Sequence, residues 1–218
     1  LAERLLCGRA KVDLQALRNN TISTAERQTF IEKSAEISQS PLFIDDTPTR
    51  NVTEIVATAR RLKRRHNALG LVVIDYLQLM SGGSSAENRQ LEVSEISRGL
   101  KILARELEVP IMALSQLSRN LETRADKRPM LADLRESGSL EQDADVILFA
   151  EYLHRTDPNK HKDDEYRILV AKNRNRGIRN SLVTFQFDPP RQRLREERET
   201  SYAHRHDVSP VQRFSEFD

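Results

Sequence analysis

Four polar side chains stand where apolar runs end, and their types suit phosphate chemistry. The run Leu71-Val72-Val73-Ile74 stops abruptly at Asp75. In open α/β sheets ligands bind beyond the carboxyl ends of the strands, so Asp75 is placed to face a metal ion or a phosphate. A carboxylate there can hold Mg²⁺ through its water shell. A second run, Val109–Leu114, ends in Ser115-Gln116, and an amide at that place could hydrogen-bond a γ-phosphate or an attacking water. Lys172 and Arg174 follow a third run, Tyr166–Ala171. Two apart on extended backbone, they point to one face. A lysine beside a forked arginine suits the charge that develops on a transferred phosphoryl group. Taken singly, each has a plainer reading. Asp75 would be an N-cap or turn residue, Gln116 a satisfied turn amide, and Lys172 and Arg174 a solvated strand end.

A fifth feature lies between two of these runs. From Arg128 to Asp145 the chain reads RPMLADLRESGSLEQDAD, with small residues at Ser137-Gly138-Ser139. Backbone amides in such a stretch, with Arg135 beside them, can approach a phosphodiester closely.

The elements that must position these groups follow from patterning. Leu71–Ile74 reads as a strand buried on both faces, as in a parallel sheet. Val109–Leu114 reads as a second buried strand, Asp145–Ala150 as a third, Tyr166–Ala171 as a fourth and Leu182–Phe187 as a fifth; Leu42–Asp45 is a shorter buried strand. Ile96, Leu100, Leu103 and Leu107 recur at helical spacing, which predicts a helix from about Asn88 to Leu107. Asp13 is set to cap a short helix within Lys11–Asn20. Ser23 with Glu26, and Asn51 with Glu54, have capping-box spacing and open two more helices. The first carries Phe30, Ile31 and Ile37 and ends before Pro41. The second shows an apolar face, Val52, Ile55, Val56, Ala59 and Leu62, and a basic end, Arg60 to Arg65, which reads as a solvated helix terminus rather than a phosphate patch. Strands alternate with helices first and follow one another later, as in a mostly parallel sheet with antiparallel edge strands. Ser81–Ser85 reads as a flexible loop and Ser118–Arg128 as a charged surface segment. Residues 189–210 read as a surface insertion or disordered segment, with order returning near Val211–Phe214.

Composition bounds the function. The chain has 218 residues, 31% charged and 38% hydrophobic, which fits one globular α/β domain. Aromatics make up 5% and Trp is absent, so stacking on bases does not dominate any nucleic-acid contact. The net charge of +2 means that such a contact would be a local arrangement. Cys7 is the only cysteine, which excludes an intrachain disulfide and a cysteine-based zinc site. No long apolar run and no signal-peptide pattern occur, which fits a cytoplasmic protein.

Three stretches, taken in order, then become specific: Val73-Ile74-Asp75-Tyr76-Leu77-Gln78-Leu79, Ala113-Leu114-Ser115-Gln116-Leu117-Ser118-Arg119, and the run from Arg128 to Phe149. Together they resemble the bacterial replicative DNA helicases of the DnaB family, over about residues 1–187. The resemblance implies a RecA-like P-loop NTPase core, the motor domain of a homo-hexameric ring that unwinds DNA by ATP-driven 5′→3′ translocation on single-stranded DNA. It implies Walker B and Mg²⁺-binding roles for Asp75 and a phosphate-sensor role for Gln116. Lys172 and Arg174 would reach into the ATP site of the neighbouring subunit. Arg135, Glu136 and Gly138 would hold the DNA backbone. A primase and a helicase loader are the partners the family leads one to expect. The family's P-loop, G-x-x-x-x-G-K-[ST], is absent from these 218 residues. The chain therefore reads as a single motor domain truncated before the P-loop, and inactive by itself. Two alternatives stay open: another RecA-fold ATPase such as a recombinase-like protein, or a non-catalytic ring subunit that donates its finger residues in trans.

Overall fold

The computed structural model describes residues 1–47, 51–66, 69–80, 89–118, 120–124, 126–175 and 181–196. The Ser81–Ser85 loop and the return of order near Val211–Phe214 lie outside them.

Three helices open the chain: α1 (Ala2–Ala10), α2 (Leu14–Arg18) and α3 (Thr24–Ser38). Their starts are set locally. Asp13 accepts hydrogen bonds from the N–H groups of Gln15 and Ala16 at 2.7 and 2.9 Å, and Ser23 and Glu26 close a reciprocal capping box. Lys11 turns the chain between α1 and α2 in the left-handed region, φ 58°. Its carbonyl accepts a bond from Arg191 Nε at 2.9 Å, and Leu14 N–H donates to the Pro190 carbonyl at 2.9 Å. These bonds tie the chain's start to its last described hairpin. α3 buries none of its residues, and Ile31 is exposed.

The stretch Leu42–Asp45 is not a strand. It is irregular, and Leu42, Phe43 and Ile44 are exposed. Its apolar character has no partner strand among the described residues, so hydrophobicity alone does not make it sheet. The Asn51 and Glu54 bonds that open α4 (Val52–His66) are present at 2.9 and 3.1 Å.

A parallel pair forms the first layer. β1 (Val72–Ile74) runs through a 3₁₀ turn at Leu77–Leu79 and the long helix α5 (Arg89–Leu107) to β2 (Ile111–Ala113), with Val72 opposite Ile111 and Ile74 opposite Ala113. The 3.6-residue period of α5 puts Val93, Ile96, Leu100, Leu103 and Leu107 on one buried stripe. Ile74, Leu77 and Met80 pack against its first half; Ala59 of α4 and Val109 pack against its second. The expected burial of β1 on both faces does not hold. Ile74 is 9% exposed but Val73 54%, and Met112 on β2 is 50% exposed. Helices cover one face of this pair among the described residues, so burial alternates along the strand.

After α6 (Asn120–Thr123), a 3₁₀ segment (Leu131–Ser137) and α7 (Gly138–Asp143), the chain turns antiparallel. β3 (Val146–Tyr152), α8 (Leu153–Thr156), β4 (Glu165–Asn173), β5 (Ser181–Asp188) and β6 (Arg193–Glu196) follow, and the four strands pair in sequence order. The connections after β4 and β5 are too short for a crossover, so these strands can pair only as hairpins, and the connection between β3 and β4 holds only the single turn α8. The fold is α/β as expected, with the parallel part among the described residues being the β1–β2 pair. Leu134, Ile147, Phe149, Leu169 and Ala171 form the core beneath the meander. Glu151 lies opposite Arg167 and pairs with it at 3.1 Å.

Pro189–Glu196, the first part of the segment expected to be a surface insertion or disordered, is ordered. It is a turn and strand that extend the meander, with Asp188 opposite Arg193 and Phe185 opposite Glu196. The Arg-rich sequence hid this because β6 is an edge strand with little apolar surface to cover. Residues 197–210 lie outside the described residues. No helix among the described residues is long and apolar enough to cross a membrane.

Candidate functional site

The carboxyl edge of the parallel pair carries Asp75 and Gln116. Each lies just past its strand, and both side chains are exposed. The edge is closed by the 3₁₀ turn. Leu77 N–H donates to the Leu114 carbonyl at 2.9 Å. Gln78 Nε2 donates to Ser115 Oγ at 2.8 Å, while Gln78 Oε1 accepts from the Gln116 N–H at 3.3 Å. The backbone of Gln116 is thereby fixed and its amide left facing outward. Asp75 makes no hydrogen bond or ion pair with the described residues. Among those residues no cluster of three or more His, Cys, Asp or Glu side chains could hold a metal. A cation here would take one carboxylate, waters and ligand oxygens, which is how Mg²⁺ is commonly held beside phosphates.

Lys172 and Arg174 are brought together, as their spacing predicts, but not at that edge. Both meet the last turn of α7. Lys172 Nζ donates to the Glu141 carbonyl at 2.5 Å, and Arg174 donates to the Gln142 carbonyl at 2.8 Å and to Asp145 Oδ1 at 3.2 Å. The final carbonyls of a helix lack intrahelical partners and carry partial negative charge, so two cations suit them. The other carboxylate oxygen of Asp145 pairs with Lys101 of α5. Lys101, then Arg174 and Lys172, hold the Asp145 carboxyl below the usual carboxylate range. Desolvation, reinforced by the neighbouring Arg174, pulls Lys172 below the usual lysine value.

This cluster borders a shallow cleft of about 360 Å³ lined by Lys101, Arg105, Glu108, Pro110, Asp145 and Asn175. Pro110 enters β2 and Gln116 follows its end. The six residue steps from one to the other span on the order of 20 Å of extended chain. The cations therefore sit at the opposite end of the parallel pair from Asp75 and Gln116. The four residues do not share one edge, contrary to what strand order suggests. The reason is topological: β4 runs antiparallel to β3, so its end returns to the start of β3.

The segment leading to α7 is held by one buried carboxylate. Asp133, 6% exposed, accepts two bonds from Arg124 at 3.1 Å and one from Met130 N–H at 2.8 Å. Ser118 N–H donates to the Asp133 carbonyl at 3.0 Å. The charged segment after β2 is thus folded back on the 3₁₀ turn. That turn contains Arg135 and Glu136, whose side chains lie outside what is described. Gly138 follows with φ −52° and ψ −27°, ordinary helical values, and a Cβ built there meets nothing within 4 Å.

Sequence reasoning missed Gln78, Lys101, Arg124, Asp133 and Asp145 as groups that hold the site. Their partners lie up to 44 residues away along the chain, as for Lys101 and Asp145. Gln78, Asp133 and Asp145 lie within the stretches that carry the resemblance, but nothing in those stretches marks their partners.

Residues 1–195 match the family described as DnaB-like helicase C terminal domain. The chain is 49% identical over 187 residues to the replicative DNA helicase DnaB of Mycobacterium intracellulare, covering 84% of this chain and 32% of that protein. It is 49% identical over 190 residues to the DnaB of Geobacillus stearothermophilus, covering 85% and 41%. It therefore spans about a third to two-fifths of the length of these relatives. Among solved structures, a DnaB-like replicative helicase studied with its primase interactions superposes with TM-score 0.82 at 35% identity, covering 88% of this chain and 46% of that one. A second solved structure, of an ATPase domain, superposes with TM-score 0.83 at 34% identity, covering 89% and 69%. With the ATPase-domain fold shared and the match running through the carboxyl edge of the parallel pair, β4 and the segment before α7, the chain belongs to the DnaB-like helicase C-terminal domain family.

Proposed function

We propose that this chain is the motor region of a replicative DNA helicase, which unwinds duplex DNA by ATP-driven 5′→3′ translocation of a homo-hexameric ring on single-stranded DNA. The observation that carries this reading is the separation of Lys172 and Arg174 from Asp75 and Gln116. Two halves of a phosphate site at opposite ends of one domain cannot serve one nucleotide in cis. They can serve it when copies are arranged head to tail, with the finger end of one facing the carboxyl edge of the next.

The residues present fit ATP with Mg²⁺. Asp75 is an exposed carboxylate with no described partner, at the strand end where the cation belongs, and Gln116 is an exposed amide on a fixed backbone. Bound ATP would supply the phosphoryl group to be transferred. Asp75 would hold the Mg²⁺, Gln116 would hydrogen-bond the terminal phosphate, and Lys172 and Arg174 of the next subunit would neutralise developing charge. Arg135, Glu136 and Gly138 line the passage for DNA and hold its backbone. The open space outside Gly138 supports a close approach there. Primase and a helicase loader are the expected protein partners, and the cytoplasm the expected compartment.

Subunit mixing tests the arrangement in the full-length protein. Rings of Arg174→Ala protein should lose turnover by about 10³-fold or more while still assembling. Mixed rings with a P-loop-defective variant should regain part of it. Absence of any recovery would place Arg174 on its own subunit's nucleotide and sink the shared-site reading.

A further inference from the structure

We propose that the carboxyl end of α7, together with Asp145, is a latch that holds Lys172 and Arg174 until the 135–138 segment is engaged by DNA. This rests on the reading of those two cations as groups acting on a neighbour's nucleotide. Asp145 is then a positioning residue.

The contacts point this way because the cations are already committed within their own chain. One terminal nitrogen of Arg174 lies on Asp145 Oδ1 and the other on the Gln142 carbonyl; Lys172 lies on the adjacent Glu141 carbonyl. The backbone reinforces the dock, since Arg174 N–H donates to the Asp145 carbonyl at 2.8 Å. These bonds use two of the five guanidinium donors and one of the three ammonium donors, and they aim both side chains at α7. Turning the end of the Arg174 fork squarely onto a neighbour's phosphate means exchanging these bonds for others.

The helix carrying the dock is short and continuous with the proposed DNA segment. α7 starts at Gly138, so the Glu141 and Gln142 carbonyls lie only about 5–6 Å along its axis from that residue. A displacement at Gly138 would reach the dock through one short helix of six residues. Two groups of α5 define the position from which α7 would move. Ser97 Oγ donates to Asp143 Oδ2 at 2.8 Å, and Lys101 holds the second oxygen of Asp145. The dock thus has one side fixed on α5 and one side fixed on the cations, with α7 between them. Exposure sets the strength. Arg174 and Asp145 are about half exposed, and such pairs hold with a factor of up to about five. That is strong enough to bias the cations and weak enough to release them.

The experiment compares assembled full-length rings of wild type, Asp145→Asn, Asp145→Glu and Arg174→Ala, measuring ATP turnover with and without single-stranded oligonucleotide. Asp145→Asn should raise DNA-independent turnover by about two- to five-fold and leave the DNA-stimulated rate unchanged, so that the stimulation ratio falls by the same factor. Asp145→Glu, which keeps the charge, should bring the ratio back towards wild type. Ring assembly, followed by light scattering, should be unchanged in both. A wild-type ratio in Asp145→Asn, with Arg174→Ala inactive, would overturn the latch and leave the finger reading intact. Loss of both rates in Asp145→Asn would make Asp145 an orienting group for the active finger and also overturn the latch. Full turnover in Arg174→Ala would instead strike the finger reading itself.

Discussion

Gln78 and Gln116 are joined across the end of the parallel pair. The Gln116 N–H donates to Gln78 Oε1 at 3.3 Å, and the same side chain's amide donates to Ser115 Oγ at 2.8 Å. One side chain from the turn after β1 thus sets the backbone of the residue proposed to sense phosphate. Gln78→Leu keeps the bulk and removes these bonds. With a net hydrogen-bond contribution of roughly 1 kcal/mol, kcat for ATP should fall about five-fold in the full-length ring. The KM for ATP should change little, since Gln78 orients Gln116 rather than meeting ligand. A change in KM alone, with kcat intact, would mean that Gln116 is positioned by something else.

Asp133 should be a stability residue. Its carboxylate is 6% exposed and serves both Arg124 and the Met130 N–H. Asp133→Ala strands a guanidinium that is 28% exposed and a backbone donor, which costs roughly 2–4 kcal/mol. The thermal midpoint of the motor domain should fall by roughly 5–10 °C. Asp133→Asn keeps part of the hydrogen bonding and should fall by less. Differential scanning fluorimetry of the two variants decides it, and equal midpoints for all three proteins would show that the staple is dispensable.

Asp145 gives a pH signature. Its carboxyl is held below its ordinary 3.8, chiefly by Lys101. A depressed folded-state value stabilises the fold above the ordinary value, and the contribution fades as pH falls through the folded one. The gap in thermal midpoint between wild type and Asp145→Asn should therefore be constant from neutral pH to about 5 and close below about 4. Because the Asp145 carboxylate is about half exposed, the gap should also shrink with salt. A gap that opens as pH falls would reverse the sign of the interaction.

What the sequence made legible was local. Asp13, Ser23 with Glu26 and Asn51 with Glu54 could be read as caps because each partner lies within three residues. The α5 stripe was legible because a long helix declares its period. Burial was not. Leu42–Ile44 and Leu71–Ile74 look alike in hydrophobicity, yet the first forms no strand and the second is covered on one face among the described residues. Cover depends on which elements arrive from elsewhere, and no local pattern records that. The site divided in the same way. Asp75, Gln116, Lys172 and Arg174 stood out by type and by their places after apolar runs. Their distribution over two ends of the parallel pair did not, because it depends on the antiparallel return of β4 to the start of β3. Lys101 was invisible: on a helix rich in charge, nothing marks the one lysine that meets Asp145.

The DNA segment yields the most direct test of the translocation reading. A motor that tolerates every sequence should hold phosphates rather than base edges, so Arg135 should act as a backbone contact. Arg135→Ala should weaken single-strand binding by a similar factor on oligonucleotides of different sequence. It should also flatten the dependence of log affinity on log salt by about 0.7 for each loop engaged, the counterion release of one phosphate contact on a single strand. Gly138 should behave differently. At φ −52°, with open space around an added Cβ, the fold accepts a side chain there without strain. Gly138→Val should leave the thermal midpoint nearly unchanged and weaken DNA binding at every salt concentration, because the side chain fills the space into which the strand would come. The measurement is a salt titration of single-stranded DNA binding by assembled rings of wild type and both variants. If Arg135→Ala leaves the slope unchanged and loses affinity for one sequence only, the segment reads bases, and a backbone-tracking passage is the wrong picture. If Gly138→Val binds normally, the strand does not pass this face of α7.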